Sequence, residues 1–458
     1  MKRTHPVFPI FVILVVAALV DGLAATAQGL DLRSQIDPLA HPLLEDGVAV
    51  GFVIGIARDA QTQLIAYGET RKGSGLRPDG DTVYEIGSVS KVFTGTLVAV
   101  MVQQGQLKLD DPVRKYLPAS VKMPVMDDQA ITLEHLATHT SGLPRLPENL
   151  RPVDPANPYA DYSVGQLYEF LGAHKLQRPR GRHEYSNLGG GLLGHALELC
   201  AGKPYEQLLL EHIAIPLGMR DTCITLDEKL RARLAPPYDA ALKPAYNWDI
   251  PALAGAGAIR STCHDMLRFI KANLADDKQP LTEALLLAHQ KRHTMDDGLA
   301  MGLGWHIARD GVTRWHNGMT GGYHSWLAVV PSRQVGVVVL ANTATMEIST
   351  FGEDVTRIAL GAEVKPAPRF KVEPAVLASY AGHYELSPQF VLTVTVEDGR
   401  LMVQATGQEK FPVFAESNTK FFYKVVDARI TFVPEQDGKV LKLILHQAGH
   451  DIPGVRRD

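Results

Sequence analysis

Strand-like runs stand at two widely separated places in this chain, and that separation constrains its fold more than any other feature. The first run, "AVGFVIGIARDAQTQLIAYGET" (49–70), sets β-branched and apolar residues on both sides of a polar turn around Arg58 to Thr62 and reads as an antiparallel hairpin. The second is a trio, "VTRWHNG" (312–318), "YHSWLAVVP" (323–331) and "VGVVVLANT" (335–343), divided by Gly, Pro and Ser turns as in an antiparallel meander. Between them the period turns helical. From Ser88 to about Gln104, Val92, Leu97, Val100 and Met101 offer one apolar face, and "YSVGQLYEFLGAH" and "LGGGLLGHALELCAGKPYEQLLLEHIAIPLGM" are the clearest helical pieces of the region 110–290. Strands supplied from both ends of a helix-rich segment predict an α/β body, an antiparallel sheet flanked by helices plus a helical lobe, with a pocket at the junction of the two.

A proline-interrupted stretch, "AEVKPAPRFKVEP" with Pro366, Pro368 and Pro374, then reads as a linker. Beyond it "FVLTVTVEDGRLMVQATG" and "KFFYKVVDARITFVPEQDGKVLKLILHQAG" are strands joined by Asp398-Gly399 and Asp437-Gly438 turns, with little helix potential. A small all-β domain is expected there. At the other end Lys2 and Arg3 precede about a dozen apolar residues and a small-residue Ala25-Thr26-Ala27 site, the pattern of a secretory signal peptide. That run is short of the ~20 apolar residues a membrane span needs, so the mature chain is expected to be soluble and exported, in the periplasm or the medium. The expected organisation is a signal peptide over 1–27, a body over 28–364, and a linker with the β domain over 365–458.

Composition narrows the function. A chain of 458 residues with 46 basic and 50 acidic side chains has a formal charge of −4 and no basic block, which excludes nucleic acid as an expected partner. Only Cys200, Cys223 and Cys263 occur, too few and too far apart for a disulfide scaffold, and each reads as a small buried hydrophobe. His135 and His139 have the spacing of a zinc pair, but no Glu follows His135 and no third ligand is evident, so a structural place near the cleft is the better reading. Neither a metal nor another cofactor is expected.

Three short motifs carry chemistry. In "YEIGSVSKVFTG" (84–95), Ser88 stands at the first turn of a helix, where its backbone N–H lacks a helical acceptor, and Lys91 lies close to one turn on. A lysine at its normal pKa of about 10.4 is a poor base unless partly desolvated. In "EYSNLGGG" (184–191), Tyr185 and Asn187 share a direction if the segment is extended; a neighbouring lysine ammonium would pull the phenol below its usual value of about 10, and the amide would suit a substrate carbonyl. In "WHNGMTGGYHSWLAVVP" (315–331), His316 and Gly318 on a glycine-rich strand suggest a close backbone approach, with the Met319 N–H as a candidate oxyanion donor. Taken singly, each also fits a helix cap, a turn asparagine or a β-bulge.

Together and in this order, Ser88-Val89-Ser90-Lys91, Tyr185-Ser186-Asn187 and His316-Asn317-Gly318 resemble the three motifs of the penicillin-recognising serine hydrolases, in particular the class C β-lactamase family with its D-alanyl-D-alanine carboxypeptidase and esterase relatives. The stretches "LKLDDPVRKYLP", "ITLEHLATHTSGLPR", "PLGMRDT", "AGAGAIRSTCHDML" and "GLGWHI" extend the resemblance over about 40–360. "YGETRKGSGLRP" and "LATHTSGLPR" look most like its carboxypeptidase/endopeptidase branch. The resemblance implies Ser88 as acylated nucleophile and Lys91 and Tyr185 as proton carriers. It implies further that Asn187, His316 and Gly318 bind substrate, and that the N–H groups of Ser88 and Met319 hold the oxyanion. The implied substrate is a small molecule, a β-lactam or a peptidoglycan peptide. One departure is that true class C β-lactamases carry Lys-Thr-Gly where this chain has His316-Asn317-Gly318, replacing a permanent cation by an imidazole expected to be partly charged near neutrality.

Overall fold

The computed structural model describes residues 31–457 apart from 127–128, 178–179, 276–279, 367–369, 398, 409, 424–425, 427, 436–437 and 448. The signal-peptide expectation for 1–27 and the Asp398 and Asp437 turn positions lie outside the described residues.

Both strand groups join one eight-stranded antiparallel sheet. Its order is Gln61–Gly68, Gly51–Arg58, Val335–Ala341, His324–Val330 and Arg314–Met319, then the short His306–Ile307, Ala300–Met301 and His293–Thr294 strands. The first hairpin thus pairs with the last strand of the trio, Phe52 opposite Ala341 and Arg58 opposite Val335. The central strands are buried on both faces, and their side chains alternate between two cores. Phe52, Ile54, Ile56, Val337, Val339 and Ala328 enter one cluster with helices Arg33–Glu45 and Glu347–Ala359. Val53, Val338, Leu340, Leu327 and Val329 enter the other, with helices Ser90–Gln103 and Cys263–Leu274 and the helical lobe. The sheet is therefore sandwiched between two cores.

One helix lies in a segment that the sequence reading left unassigned, and one element departs from that reading. Arg33–Glu45 is helical despite Pro38 and Pro42 inside it. Pro374, expected to interrupt regular structure, instead opens the short helix Pro374–Tyr380, a position where its missing N–H costs nothing. The following strands, Gly382–Ser387 through His450–Arg456, close into an eight-stranded barrel, sealed by Tyr384 opposite Arg456 and Glu385 opposite Val455. Leu377 and Tyr380 of the short helix join the barrel core, the Tyr380 ring stacked 4.1 Å from Phe432.

The barrel meets the body on the layer remote from Ser88. Phe414 packs against the core that includes Arg33–Glu45 and Glu347–Ala359, Arg400 hydrogen-bonds the Glu45 carbonyl, and a groove of about 1010 Å³ runs between Leu43, Phe351, Leu401 and Phe422. Cys223 and Cys263 are buried, Cys200 is half-buried, and all three are free thiols. Among the described residues no helix is long and apolar enough to cross a membrane.

Candidate active site

Ser88 lies in a single 3-10 turn, Gly87–Val89, that leads into the helix Ser90–Gln103. The turn is clamped. The Ile86 N–H donates to the Ile259 carbonyl at 3.0 Å, the Ser325 hydroxyl donates to the Ile86 carbonyl at 2.8 Å, and the Ser90 hydroxyl accepts from the Ile259 N–H at 3.1 Å. Gly87 has φ +49°, and a Cβ there would lie 2.7 Å from the Met319 nitrogen. At Gly318 a Cβ would lie 2.0 Å from the Ile86 carbonyl and 2.8 Å from the Ser88 nitrogen. Backbone meets backbone at both positions, so the strand end lies against the Ser88 turn with no room for a side chain between them.

Lys91, one turn along, is buried, 3% exposed. Its Nζ lies 3.0 Å from Ser88 Oγ and donates to Asn187 Oδ1 at 2.9 Å and to the Ala256 carbonyl at 2.7 Å. These contacts tie the sheet-side helix to the helical lobe. Burial, with the nearby Arg145 guanidinium as a second cause, holds the amine well below the ordinary lysine value.

Tyr185 and Asn187 flank Ser186, whose extended backbone (φ −128°, ψ 111°) lets both neighbours face the cleft while its hydroxyl caps the helix Asn187–Ala201 by accepting from Gly189 N–H at 2.8 Å. Lys91 Nζ is 5.0 Å and Arg145 Cζ 5.2 Å from the centre of the Tyr185 ring. The phenol pKa is nevertheless pushed up to about 12, with burial the main cause, opposed by the Ser88 hydroxyl and Arg145. The expected downward pull from a lysine ammonium does not prevail, because burial of the phenol itself raises its pKa by more than its neighbours lower it.

His316 is fully buried. Its Nδ1 lies 2.5 Å from the Asn317 carbonyl, which can only accept, so Nδ1 carries the proton and Nε2 presents a lone pair without a partner. Burial first, then the neighbouring His306 and Lys91, hold it well below the ordinary histidine value. The partial charge expected at neutrality is therefore absent. Asn317 turns away and donates to Ser349 Oγ at 2.9 Å.

The structure thus brings Ser88, Lys91, Tyr185, Asn187, His316, Gly318 and Met319 to one cleft. It adds His306, which the sequence reading passed over, and places His139 near the cleft as expected. The His306 ring is 4.9 Å from His316, and the His139 ring is 4.4 Å from Tyr185. His139 Nδ1 accepts the Ser186 N–H at 3.2 Å, while His135 instead accepts the Thr132 N–H at a helix start, so the two do not converge. His183 stands two residues before Tyr185 in the same segment, where the alternation argument used for Asn187 would have found it. Arg145 ends the quoted "SGLPR". Among the described residues no group of three or more His, Cys, Asp or Glu side chains is placed to hold a metal.

An antiparallel sheet clad by helices, with a cleft at the junction to a helical lobe, is the β-lactamase/transpeptidase-like fold. A structure of the β-lactamase/D-alanine carboxypeptidase from Yersinia pestis, complexed with citrate, superposes with TM-score 0.61 at 29% identity, covering 72% of this chain and 98% of that one. The chain belongs to the Beta-lactamase family, whose model matches residues 36–360; a second model, described only as a domain of unknown function (DUF3471), matches 367–456. Curated relatives include the D-alanyl-D-alanine-carboxypeptidase/endopeptidase AmpH of Escherichia coli (strain K12), 32% identical over 332 residues, 68% of this chain and 84% of that protein. A beta-lactamase of Pseudomonas fluorescens is 29% identical over 348 residues, 68% of this chain and 94% of its own length. The likeness expected from the three motifs is borne out.

Proposed function

We propose that this protein is an exported serine hydrolase that opens the amide of β-lactams or D-alanyl peptides through an ester on Ser88. One observation carries the reading: Lys91 Nζ is 3.0 Å from Ser88 Oγ while two of its hydrogen bonds run to oxygens that can only accept. A neutral amine held this way spends both N–H groups on Asn187 and Ala256 and aims its lone pair at the Ser88 hydroxyl. Lys91 takes that proton as Oγ attacks the carbonyl, and the oxyanion forms against the N–H groups of Ser88 and Met319. Tyr185, kept protonated by its raised pKa, delivers a proton to the departing nitrogen. Asn187 has its oxygen occupied by Lys91, which leaves its NH₂ for the substrate's own amide carbonyl. The proton on Lys91 then restores Tyr185, and water attacks the ester carbonyl, giving a proton to Lys91 that passes to the departing Ser88 Oγ.

The names of the relatives support the substrate class, and the charged, apolar and small-residue succession of residues 1–27 supports export. The body over 28–364 would carry the chemistry and the segment 365–458 would be an accessory domain. A second reading, an esterase acting on small acyl esters, is favoured by the neutral His316, which offers an acceptor where a cation would attract a substrate carboxylate.

Purified protein incubated in parallel with a chromogenic cephalosporin, a D-Ala-D-Ala peptide and a nitrophenyl ester, followed by product release and intact mass, tests both. Sustained turnover of the first or second supports the amide reading, and turnover of the third alone supports the esterase. A stable adduct without turnover would make the protein a penicillin sensor. Full activity in Ser88→Ala would overturn the assignment of the nucleophile.

A further inference from the structure

An enzyme that cuts a D-alanyl peptide handles a carboxylate, yet the cations nearest this cleft are engaged or silent. His316 is neutral and presents an acceptor lone pair, which repels an anion. Lys91 is committed to Ser88, Asn187 and the Ala256 carbonyl. Arg260 is tied to Glu85 and Asp249 and to the Ile224 and Trp248 carbonyls.

Arg145 differs from all of these. Its carbonyl accepts the N–H groups of Asn187 at 2.9 Å and Leu188 at 3.1 Å, which pins its backbone to the helix start that presents Asn187. Its guanidinium lies 5.2 Å from the centre of the Tyr185 ring, a cation–π contact that holds the side chain at the mouth of the cleft. The side chain is exposed, and among the described residues it has no hydrogen-bond or ion-pair partner. Its charge is felt by Lys91, Tyr159 and Tyr185, each of whose pKa it lowers.

We propose that Arg145 selects substrates by binding a carboxylate, supplying the cation that position 316 lacks; this rests on the Ser88 reading above. A guanidinium presents a planar fork of donors that matches a carboxylate in a bidentate pair, which a histidine cannot offer. The carboxylate belongs either to the C-terminus of the leaving residue or to a side chain of the acyl peptide.

The test compares wild type, Arg145→Gln and Arg145→Lys on three matched D-Ala-D-Ala peptides: one with both carboxylates free, one with an amidated C-terminus, one with an amidated side chain. The quantity read is the ratio of kcat/KM between acid and amide, which cancels any effect of Arg145 on the reacting groups themselves. Wild type is expected to favour one of the two acids by roughly 10- to 100-fold, the scale of a charge-assisted hydrogen-bond pair. Arg145→Gln should bring that ratio to about one, and Arg145→Lys should keep part of it. A ratio unchanged by Arg145→Gln, or a wild type indifferent to both amidations, overturns the proposal. Intact-mass detection of acyl-Ser88 from a neutral nitrophenyl ester separates the two failures. No adduct in wild type removes the Ser88 reading, whereas an adduct in all three proteins with an unchanged ratio removes Arg145 alone and shows that the variants are folded.

Discussion

Around Ser88 a glycine marks a place where another segment's backbone would collide with a Cβ, at 2.0 Å for Gly318 against the Ile86 carbonyl. In the C-terminal barrel Gly399, Gly407, Gly438 and Gly449 all have positive φ, and among the described residues nothing lies within 4 Å of where a Cβ would stand. The polar groups divide the same way. The cleft buries Lys91, His139 and His316, while the barrel core is built from Leu, Val, Ile, Ala, Phe and Tyr. Glycine answers contact between segments in the cleft and local turn geometry in the barrel. A change in the first region should therefore be read out in chemistry, and a change in the second in stability.

The sharpest test of that division is Lys91→Met. Removing a buried amine of similar length leaves the core filled but takes away the base, and kcat on every substrate is expected to fall by roughly 10²- to 10⁴-fold, with little acyl-enzyme in an intact-mass time course. Gly318→Ala should come next. The added methyl forces the Arg314–Met319 strand off the Ser88 turn and spreads the two backbone N–H groups, for an expected loss of roughly 10²- to 10³-fold in kcat, the scale of one oxyanion donor. Steady-state kinetics on the cephalosporin would check it. Near-normal turnover would mean that the close approach does not set the oxyanion geometry.

Much of this architecture was legible in the sequence, and what was not has identifiable causes. The hairpin at 49–70 and the trio after 312 follow from alternation alone, because strands of this sheet pack against two cores and carry apolar residues accordingly. The helix Arg33–Glu45, which carries Pro38 and Pro42, was left unassigned, and Pro374 read as a breaker because its effect depends on whether it falls first or later in a helix. Barrel closure pairs Tyr384 with Arg456, which no local pattern announces. In the cleft, the motif residues were found through the order of the three motifs and the family they resemble, but His306 and Arg145 arrive from other segments. The state of Tyr185 was misjudged in sign, since it depends on how deeply the phenol itself is buried.

That sign has consequences for pH. Lys91 must be unprotonated to act, and its lowered pKa means kcat/KM should rise through a limb that lies well below the ordinary lysine value of about 10.4. Tyr185 should contribute no falling limb until pH approaches about 12; a fall near the ordinary tyrosine value of about 10 would show that the phenol is not held as described. The lysine shift also acts on stability. Folding below the unfolded value of about 10.4 expels a proton from Lys91, so the unfolded chain binds more protons and this contribution to stability improves as pH rises toward that value. Tyr185→Phe separates the proton donor from the rest of the site. Amide turnover is expected to drop by about 10²-fold, within the usual range for one general acid. The loss on a nitrophenyl ester should be much smaller, because that leaving group departs as an anion without a proton.

The smallest expected effect probes the other side of the comparison. Gly407 sits at φ +72° between strands Arg400–Ala405 and Lys410–Ala415, in a turn closed by the Gln408 N–H on the Ala405 carbonyl at 2.9 Å. Gly407→Ala meets no neighbour, so its whole cost is that of a left-handed backbone with a Cβ, about 1 kcal/mol. It should appear as a lowered denaturation midpoint, with the rate of Ser88 acylation unchanged. The barrel leans on the helices Arg33–Glu45 and Glu347–Ala359, which lie across the sheet from the Ser88 helix, so a turn at its far rim has no mechanical path to Lys91 short of disturbing the sheet itself. Were acylation to slow in step with stability, the barrel would have to be coupled to the cleft through that sheet, and the division between a region that does chemistry and a region that only has to fold would not hold.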